Sequence, residues 1–295
     1  MKRIKQFAAL LAVAIMITGC GGSGDNGSTK GEDESAIRIE GSDTMVNLAQ
    51  AWAERYQESN SSVEIEVSGG GSGVGIKSLI SGQADMANAS RKMKDSEKTR
   101  AKEELGKDPV ELIVGRDALA VYVHKDNPID EISLAQLKAI YADGGNITNW
   151  SDIGITMPEG TADEITRVSR QNNSGTYAYF RESVLDEEDF KLGSIDQSGS
   201  KDVVALVSTT LNSIGYSGMG YATPDVKMLK IKSSDDGDAV EPKAENVINN
   251  TYPIARPLHI YTLGEPAGNV KEYLDWIMSD AGQAVVSEMG YVPVK

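Results

Sequence analysis

Strand and helix signals alternate along the first half of this chain, and polar loops sit where strands pass into helices. Ile37-Arg38-Ile39 alternates apolar and polar side chains and predicts a strand. The helix that follows carries Leu48, Trp52 and Tyr56 at i, i+4 and i+8. Val63, Ile65 and Val67 predict the next strand, 76–80 a short helix, 85–89 a strand, 95–105 a helix and 110–114 a strand. This β-α-β-α-β-α-β order predicts a mostly parallel α/β sheet. In such sheets ligands sit beyond the carboxyl ends of strands, where loops meet helix N-termini.

Further along, 118–123 reads as a strand, Asp126-Asn127-Pro128 as a turn and 133–142 as a helix. A strand over 165–169 leads into a loop and a helix. A polar loop spans 186–199, a helix 201–210 and a glycine-rich strand 214–221. Strands near 226–232 and 257–263 and helices near 241–250 and 267–289 complete the reading. No tandem repeat is present. Two α/β lobes fit this order, with passages between them near 115–123 and 214–222. The expected division is 36–116 with 222–295 in lobe I, and 117–221 in lobe II.

The first 35 residues stand apart from that body. Lys2, Arg3 and Lys5 precede an apolar run from Phe7 to Ile17, too short and wrongly flanked for a spanning helix. It ends Ile17-Thr18-Gly19-Cys20, which resembles a lipobox. Residues 1–20 are expected to be a lipoprotein signal peptide with Cys20 lipidated; an ordinary signal peptide that happens to contain a cysteine is the alternative. Residues 21–35 lack apolar periodicity and read as a flexible acidic tether. Lipid, tether and body together predict a protein held at the outer face of a membrane, or a periplasmic one. Cys20 is the only cysteine, so the mature body has no internal disulfide and no cysteine metal site. A formal net charge of −15 argues against a nucleic-acid partner. The same charge means that a small anion must be caught by local geometry, against an unfavourable global field.

Three loops have the chemistry to do so. Arg170-Gln171-Asn172-Asn173-Ser174-Gly175-Thr176 opens a helix. Free N–H groups of a first helical turn and the positive end of its dipole favour an anion. Ser174 and Thr176 add hydroxyl donors, Gly175 lets a ligand approach the backbone, and Arg170 supplies a forked charge. Residues 69–75, Gly-Gly-Gly-Ser-Gly-Val-Gly, form a second loop between strand and helix. It is neither a Walker A loop, lacking G-K-[ST], nor a G-x-S-x-G elbow; a plain turn is the alternative. Ser42-Asp43-Thr44 is the third, with simple helix capping as its alternative. If it is functional, Asp43 is an acceptor facing an anion, which makes sense only for an anion that carries a proton. Monohydrogen phosphate does and sulfate does not. Arg91 ends a predicted strand and is either a solvated surface side chain or a second cation for the anion.

Catalysis finds little support. His124 reads as a surface residue at a strand end, and His259 as structural. No Ser-His-Asp ordering or paired-carboxylate motif stands out. Asp186-Glu187-Glu188-Asp189 lacks calcium-loop spacing and reads as a solvated turn. No enzyme activity, metal or cofactor is expected.

From residue 36 to the C-terminus the chain resembles the phosphate-binding proteins of Pst-type ABC transporters. The resemblance is carried by Gly41-Ser42-Asp43-Thr44, Gly71-Ser72-Gly73, Ala89-Ser90-Arg91, Ile147-Thr148-Asn149-Trp150-Ser151-Asp152-Ile153-Gly154, Arg170 with Ser174-Gly175-Thr176, and Ile214-Gly215-Tyr216. It implies a two-lobed, type II periplasmic-binding-protein architecture with two crossover strands, and a monomer. It implies inorganic phosphate dehydrated in the interlobe cleft and delivered to a membrane-embedded ABC permease. Carried over by position, Asp43, Thr44, Ser72, Arg170, Ser174, Gly175 and Thr176 form the expected phosphate site, to which the reading of the loops themselves adds Ser42 and Arg91. Two departures stand out: Asp43 replaces a hydroxyl residue, and Arg91 replaces the aspartate that takes the ligand's proton. The expectation is that Asp43 assumes that role and Arg91 pairs with it or with the ligand. Asn172, where many members carry Asp, leaves more of the Arg170 charge for ligand. Other readings are a binder of another tetrahedral oxyanion (molybdate, tungstate or sulfate), a secreted phosphoesterase, or a phosphate sensor.

Overall fold

The computed structural model of the protein describes residues 36–295. The segments expected to be a signal peptide and a tether, Cys20 among them, lie outside the described residues. In chain order the body opens with β1 (Ala36–Gly41), α1 (Val46–Gln57), β2 (Glu64–Gly70), α2 (Ser72–Ile80), β3 (Met86–Ala89), α3 (Asp95–Leu105) and β4 (Pro109–His124). There follow β5 (Glu131–Ser133), α4 (Leu134–Tyr141), β6 (Thr166–Arg170), α5 (Gly175–Ser183), β7 (Ile195–Gln197), α6 (Ser200–Val207) and β8 (Ser213–Gly218). The chain ends with β9 (Val226–Met228), β10 (Lys230–Lys232), β11 (Ala239–Val240), α7 (Ala244–Ile248), β12 (Ala255–Leu263), α8 (Gly268–Ile277) and α9 (Asp280–Glu288).

The main sheet has the order β2-β1-β3-β12-β4-β8-β6-β7, with β9 also beside β4. β1 runs parallel to β2 and β3, and β6 runs parallel to β7 and β8. Between these parallel wings β12 and β4 are antiparallel to their neighbours. The mostly parallel sheet expected from the alternation is therefore two parallel wings joined by an antiparallel pair. β4 is one strand of 16 residues rather than two short ones. Its polar interruption, Gly115-Arg116-Asp117, is carried by a neighbour: Asp117 faces Arg256 of β12 in register.

Each wing has its own core. Leu48, Trp52 and Tyr56 present the predicted helix face to Ile37, Ile39, Met86, Leu258 and Ile260. Each large apolar side chain so buried contributes about 1.5–3 kcal/mol. Around Leu137, Tyr141, Trp150, Phe180 and Tyr216 a second cluster forms. Leu229, Ile231, Tyr252 and Ile254 belong to this second cluster, and β10 pairs with β5. β8, at the expected return passage, pairs with β4 and β6. The helix predicted over 267–289 is two helices, because the Ser279 hydroxyl accepts from Gly282 N–H and starts α9 afresh.

Candidate functional site

The three loops singled out in the sequence meet. β1 delivers Ser42, Asp43 and Thr44; β2 runs into the glycine loop and Ser72; β6 delivers Arg170; and α5 starts at Gly175. All follow carboxyl ends of parallel strands, as such sheets dictate.

Two loops form a seam. Gly73 N–H donates to the Asn173 carbonyl at 3.0 Å, and Asn173 Nδ2 donates to the Gly70 carbonyl at 2.8 Å. A Cβ on Gly71 would lie 2.7 Å from the Asn173 oxygen, and φ there is +96°. One on Gly175 would lie 2.3 Å from Ser72 Oγ and 2.6 Å from Ser90 Oγ. Glycine at both positions is what lets the two sides approach.

Behind the seam lies a buried cluster of hydroxyls. Ser42 Oγ donates to Ser90 Oγ at 2.9 Å, and Ser90 N–H donates to Ser72 Oγ at 3.1 Å. Thr44 and Thr176 Oγ1 atoms share a hydrogen bond of 2.8 Å. The Ser174 hydroxyl caps α5 by accepting from Thr176 N–H and Tyr177 N–H. A hydroxyl used twice as acceptor keeps its own proton to donate elsewhere. No side chain of Ser42, Asp43 or Thr44 caps α1, whose N-cap is Met45, so the capping alternative for this loop fails.

Two buried arginines frame the hydroxyls. Arg170 Nη2 donates to Asp43 Oδ2 at 3.0 Å and to the Ser198 carbonyl at 2.9 Å, and its Nη1 donates to Ser200 Oγ at 2.9 Å. Its buried Nε has no partner among the described residues. Burial pulls its pKa below the ordinary value, with Asp43 opposing. Asp43 also accepts Gly70 N–H on Oδ1 at 3.0 Å, while Tyr221 holds its backbone carbonyl at 2.6 Å. Its side chain is 17% exposed, against 0% for Arg170.

Arg256, on β12, is the other arginine. Its Nε and Nη2 donate to Asp117 Oδ2 at 3.1 and 2.8 Å. Nη2 also reaches Thr44 and Thr176 Oγ1 at 3.3 and 3.1 Å, and Nη1 reaches the Ser90 carbonyl at 3.2 Å. Burial raises the Asp117 carboxyl above its ordinary range, opposed by Arg256 and by Met219 N–H. Each arginine thus has one aspartate; the Arg256–Asp117 pair is fully desolvated, whereas Asp43 keeps some exposure.

The sequence reading brought together Ser42, Asp43, Thr44, Ser72, Arg170, Ser174, Gly175 and Thr176, and the structure gathers these residues around the seam. Arg91 is placed differently. Its guanidinium forks onto Glu97, with Nη1–Oε2 at 2.8 Å and Nη2–Oε1 at 2.7 Å. The expected pairing of Arg91 with Asp43 is therefore not found, because Arg170 takes Asp43 and Glu97 takes Arg91. Sequence reasoning missed Arg256, Asp117, Ser90 and Ser200. Arg256 did leave a signal, as a charge at the start of an otherwise apolar strand, whereas Asp117 is masked by Arg116 beside it. Among the described residues no group of three or more His, Cys, Asp or Glu is arranged to hold a metal ion.

Comparison with known proteins completes the description. Residues 27–281 match the model of the PBP superfamily domain. The chain is 36% identical to the phosphate-binding protein PstS of Pseudomonas aeruginosa strain PAO1, covering 86% of this chain and 81% of that protein. To PstS of Bacillus subtilis strain 168 it is 34% identical, covering 100% and 95%. Among solved structures, it is similar to a putative phosphate ABC transporter substrate-binding protein with bound phosphate from Clostridium perfringens. The TM-score is 0.77 at 31% identity, covering 88% of this chain and 100% of that one. An ABC-type phosphate transport receptor from Vibrio cholerae gives 0.67 at 26%, covering 87% and 99%.

Proposed function

Because this chain belongs to the PstS family of phosphate-binding proteins, within the periplasmic-binding-protein superfamily, we propose that it captures inorganic phosphate between two lobes and delivers it to an ABC permease. The observation that carries this reading is the buried cluster of donors. Arg170, with a free Nε, stands among the hydroxyls of Ser42, Thr44, Ser72, Ser90, Ser174 and Thr176 behind one seam. Donors in a dry site act strongly on an anion, and a preorganised set need not reorganise when phosphate arrives.

Asp43 supplies selectivity in this reading. A carboxylate has about four lone-pair sites, and Arg170 and Gly70 N–H occupy two of them. The remaining capacity accepts the proton of monohydrogen phosphate. Sulfate, with no proton, meets repulsion there. Arg256 acts through the threonines: both hydroxyls accept from the guanidinium, one donates to the other, and the remaining proton is free for the ligand.

The lobes of this reading are 36–116 with 255–295, and 117–254. The packing of Leu229, Ile231, Tyr252 and Ile254 against the core around Tyr216 supports a return through β12 rather than near 222. β4 and β12 are then the two crossover strands, and closure is a hinge motion about them. The protein works as a monomer without enzymatic activity, exported and lipid-anchored through Cys20 at the outer face of the membrane.

Titration calorimetry at pH 7.5 tests the ligand. Phosphate should saturate one site, and sulfate should bind far more weakly. No heat with phosphate, or equal affinity for sulfate, overturns the reading. Intact mass of the membrane-extracted protein tests the anchor: a diacylated Cys20 start is expected, and an unmodified one rules it out.

A further inference from the structure

Resting on the phosphate reading above, we infer that Tyr221 is a specificity-determining positioning residue, whose hydroxyl sets the Asp43 carboxylate to receive the proton of the ligand. Its action is indirect, through the backbone from which Asp43 projects. Two backbone bonds start that loop. Ser42 N–H donates to the Asn88 carbonyl and Met45 N–H to the Ser42 carbonyl, both at 2.9 Å. The ladder of α1 begins with Ala49 N–H on the Met45 carbonyl at 2.8 Å. Between these, the carbonyls of Asp43 and Thr44 are each taken by a phenol. Tyr221 Oη donates to the Asp43 carbonyl at 2.6 Å, and Tyr291 Oη to the Thr44 carbonyl at 2.6 Å.

In a continuous helix the Asp43 carbonyl would accept from Asn47 N–H. That N–H approaches the Tyr221 hydroxyl instead. The phenol thus stands inside the i→i−4 ladder, where an inserted side chain bends the backbone out of the helix. Residues 43–45 form a turn ahead of α1. Three anchors from three elements then fix Asp43: Tyr221 on its carbonyl, Gly70 N–H on Oδ1 at 3.0 Å, and Arg170 on Oδ2 at 3.0 Å. The short turn that carries Tyr221, Met219–Tyr221, follows β8 and is itself held. Met219 N–H donates to Asp117 Oδ1 at 3.1 Å. A Cβ on Gly220 would lie 2.7 Å from the Met289 carbonyl oxygen and 2.9 Å from Tyr291 Cζ, so glycine lets the two tyrosine-bearing segments pack directly together. Burial pushes both phenols above their ordinary value, so both stay protonated as donors.

The two tyrosines are alike in burial and in bond length, but they hold different neighbours. Thr44 belongs to the hydroxyl cluster, whose donors suit any oxyanion. Asp43 is an acceptor, which only an oxyanion with a proton can use. Loosening the Thr44 carbonyl therefore weakens phosphate and sulfate alike. Loosening the Asp43 carbonyl spoils the acceptor for the phosphate proton and relieves the repulsion of sulfate.

The test is calorimetry of the full chain with inorganic phosphate and with sulfate at pH 7.5. Tyr221→Phe keeps the ring and removes only the hydroxyl. It should raise the sulfate-to-phosphate affinity ratio about fivefold, the scale of one hydrogen bond. Tyr291→Phe removes a bond of the same length and should leave the ratio within about twofold of the wild type. Tyr221→Phe added to Asp43→Asn should move the ratio no further than Asp43→Asn alone, because the tyrosine acts through the aspartate. A ratio unmoved by Tyr221→Phe, an equal rise with Tyr291→Phe, or additive rises in the double variant overturns the inference while the phosphate reading stands. A wild type that does not bind phosphate, or that binds sulfate as well, overturns both.

Discussion

The two buried arginines look alike and are built differently. Arg170 and Asp43 come from loops 127 residues apart and meet only where those loops converge. Arg256 and Asp117 are register partners on adjacent strands of the central pair. Asp43 retains some exposure, whereas Asp117 has none. In the proposed reading a pair between loops separates when the lobes part, and its partly exposed carboxylate is open to a ligand. A pair on neighbouring strands is part of the sheet, and its guanidinium only orients hydroxyls. On that reading we propose selection for the first pair and a scaffold role for the second.

The largest expected effect breaks the scaffold pair. Asp117→Ala leaves a buried guanidinium unpaired, which costs about 3–5 kcal/mol of stability. Urea unfolding measures it. Replacing both partners with apolar residues, Asp117→Leu with Arg256→Met, should recover most of that loss, since a buried pair replaced by well-packed apolar groups is often neutral. If the double variant is as unstable as the single one, the pair is not what the strand requires.

The corresponding change at the other pair should act on ligand instead. Arg170→Gln removes a desolvated charge from the site, and such truncations cost about 2 kcal/mol or more in binding. Phosphate affinity should fall at least about thirtyfold by calorimetry. A loss below threefold would mean that Arg170 serves only to tether Asp43, Ser198 and Ser200.

Gly175→Ala probes the closeness of the two sides. Its Cβ would overlap Ser72 Oγ and Ser90 Oγ, so the loops must part. Affinity for phosphate should fall about tenfold or more, on the scale of 1–3 kcal/mol for overpacking, with the far-ultraviolet dichroism spectrum unchanged. Wild-type affinity would show that the seam has slack.

The smallest effect concerns Glu97. Burial raises its carboxyl, but the Arg91 fork and Lys94 N–H outweigh burial and hold it below the ordinary range. A depressed carboxylate contributes stability above its unfolded pKa, and loses it as pH falls through the folded value. Glu97→Gln should therefore reduce stability at pH 7 and flatten its decline below about pH 4.5, the ordinary carboxyl value. A parallel decline in both proteins would contradict the assignment.

The contrast between the arginines also explains what was legible in the sequence. The loop of Arg170 announces itself by composition, because hydroxyls and a glycine at a helix start have few other uses together. The same holds for Ser42-Asp43-Thr44 and for Gly71-Ser72-Gly73. Arg256 sits in a strand beside Pro257, and its partner is 139 residues away. No local pattern encodes that distance, and so the pair, and with it the unity of β4, was hidden. The partner of Arg91 is hidden for a related reason. The arginine's position at a strand end fits a ligand role, yet Glu97, six residues on, folds back from the start of α3 to take it. Single-chain periodicity finds strands and helices, but not which charge meets which.

The central claim is that Asp43, and not Asp117, chooses the anion. The direct measurement is the sulfate-to-phosphate affinity ratio of the wild type, Asp43→Asn and Asp117→Asn, by calorimetry at pH 7.5. The wild type and Asp117→Asn should share one low ratio, and Asp43→Asn should raise it by about tenfold or more, the cost of one buried polar mismatch. A ratio unmoved by Asp43→Asn, or moved equally by Asp117→Asn, would contradict the account.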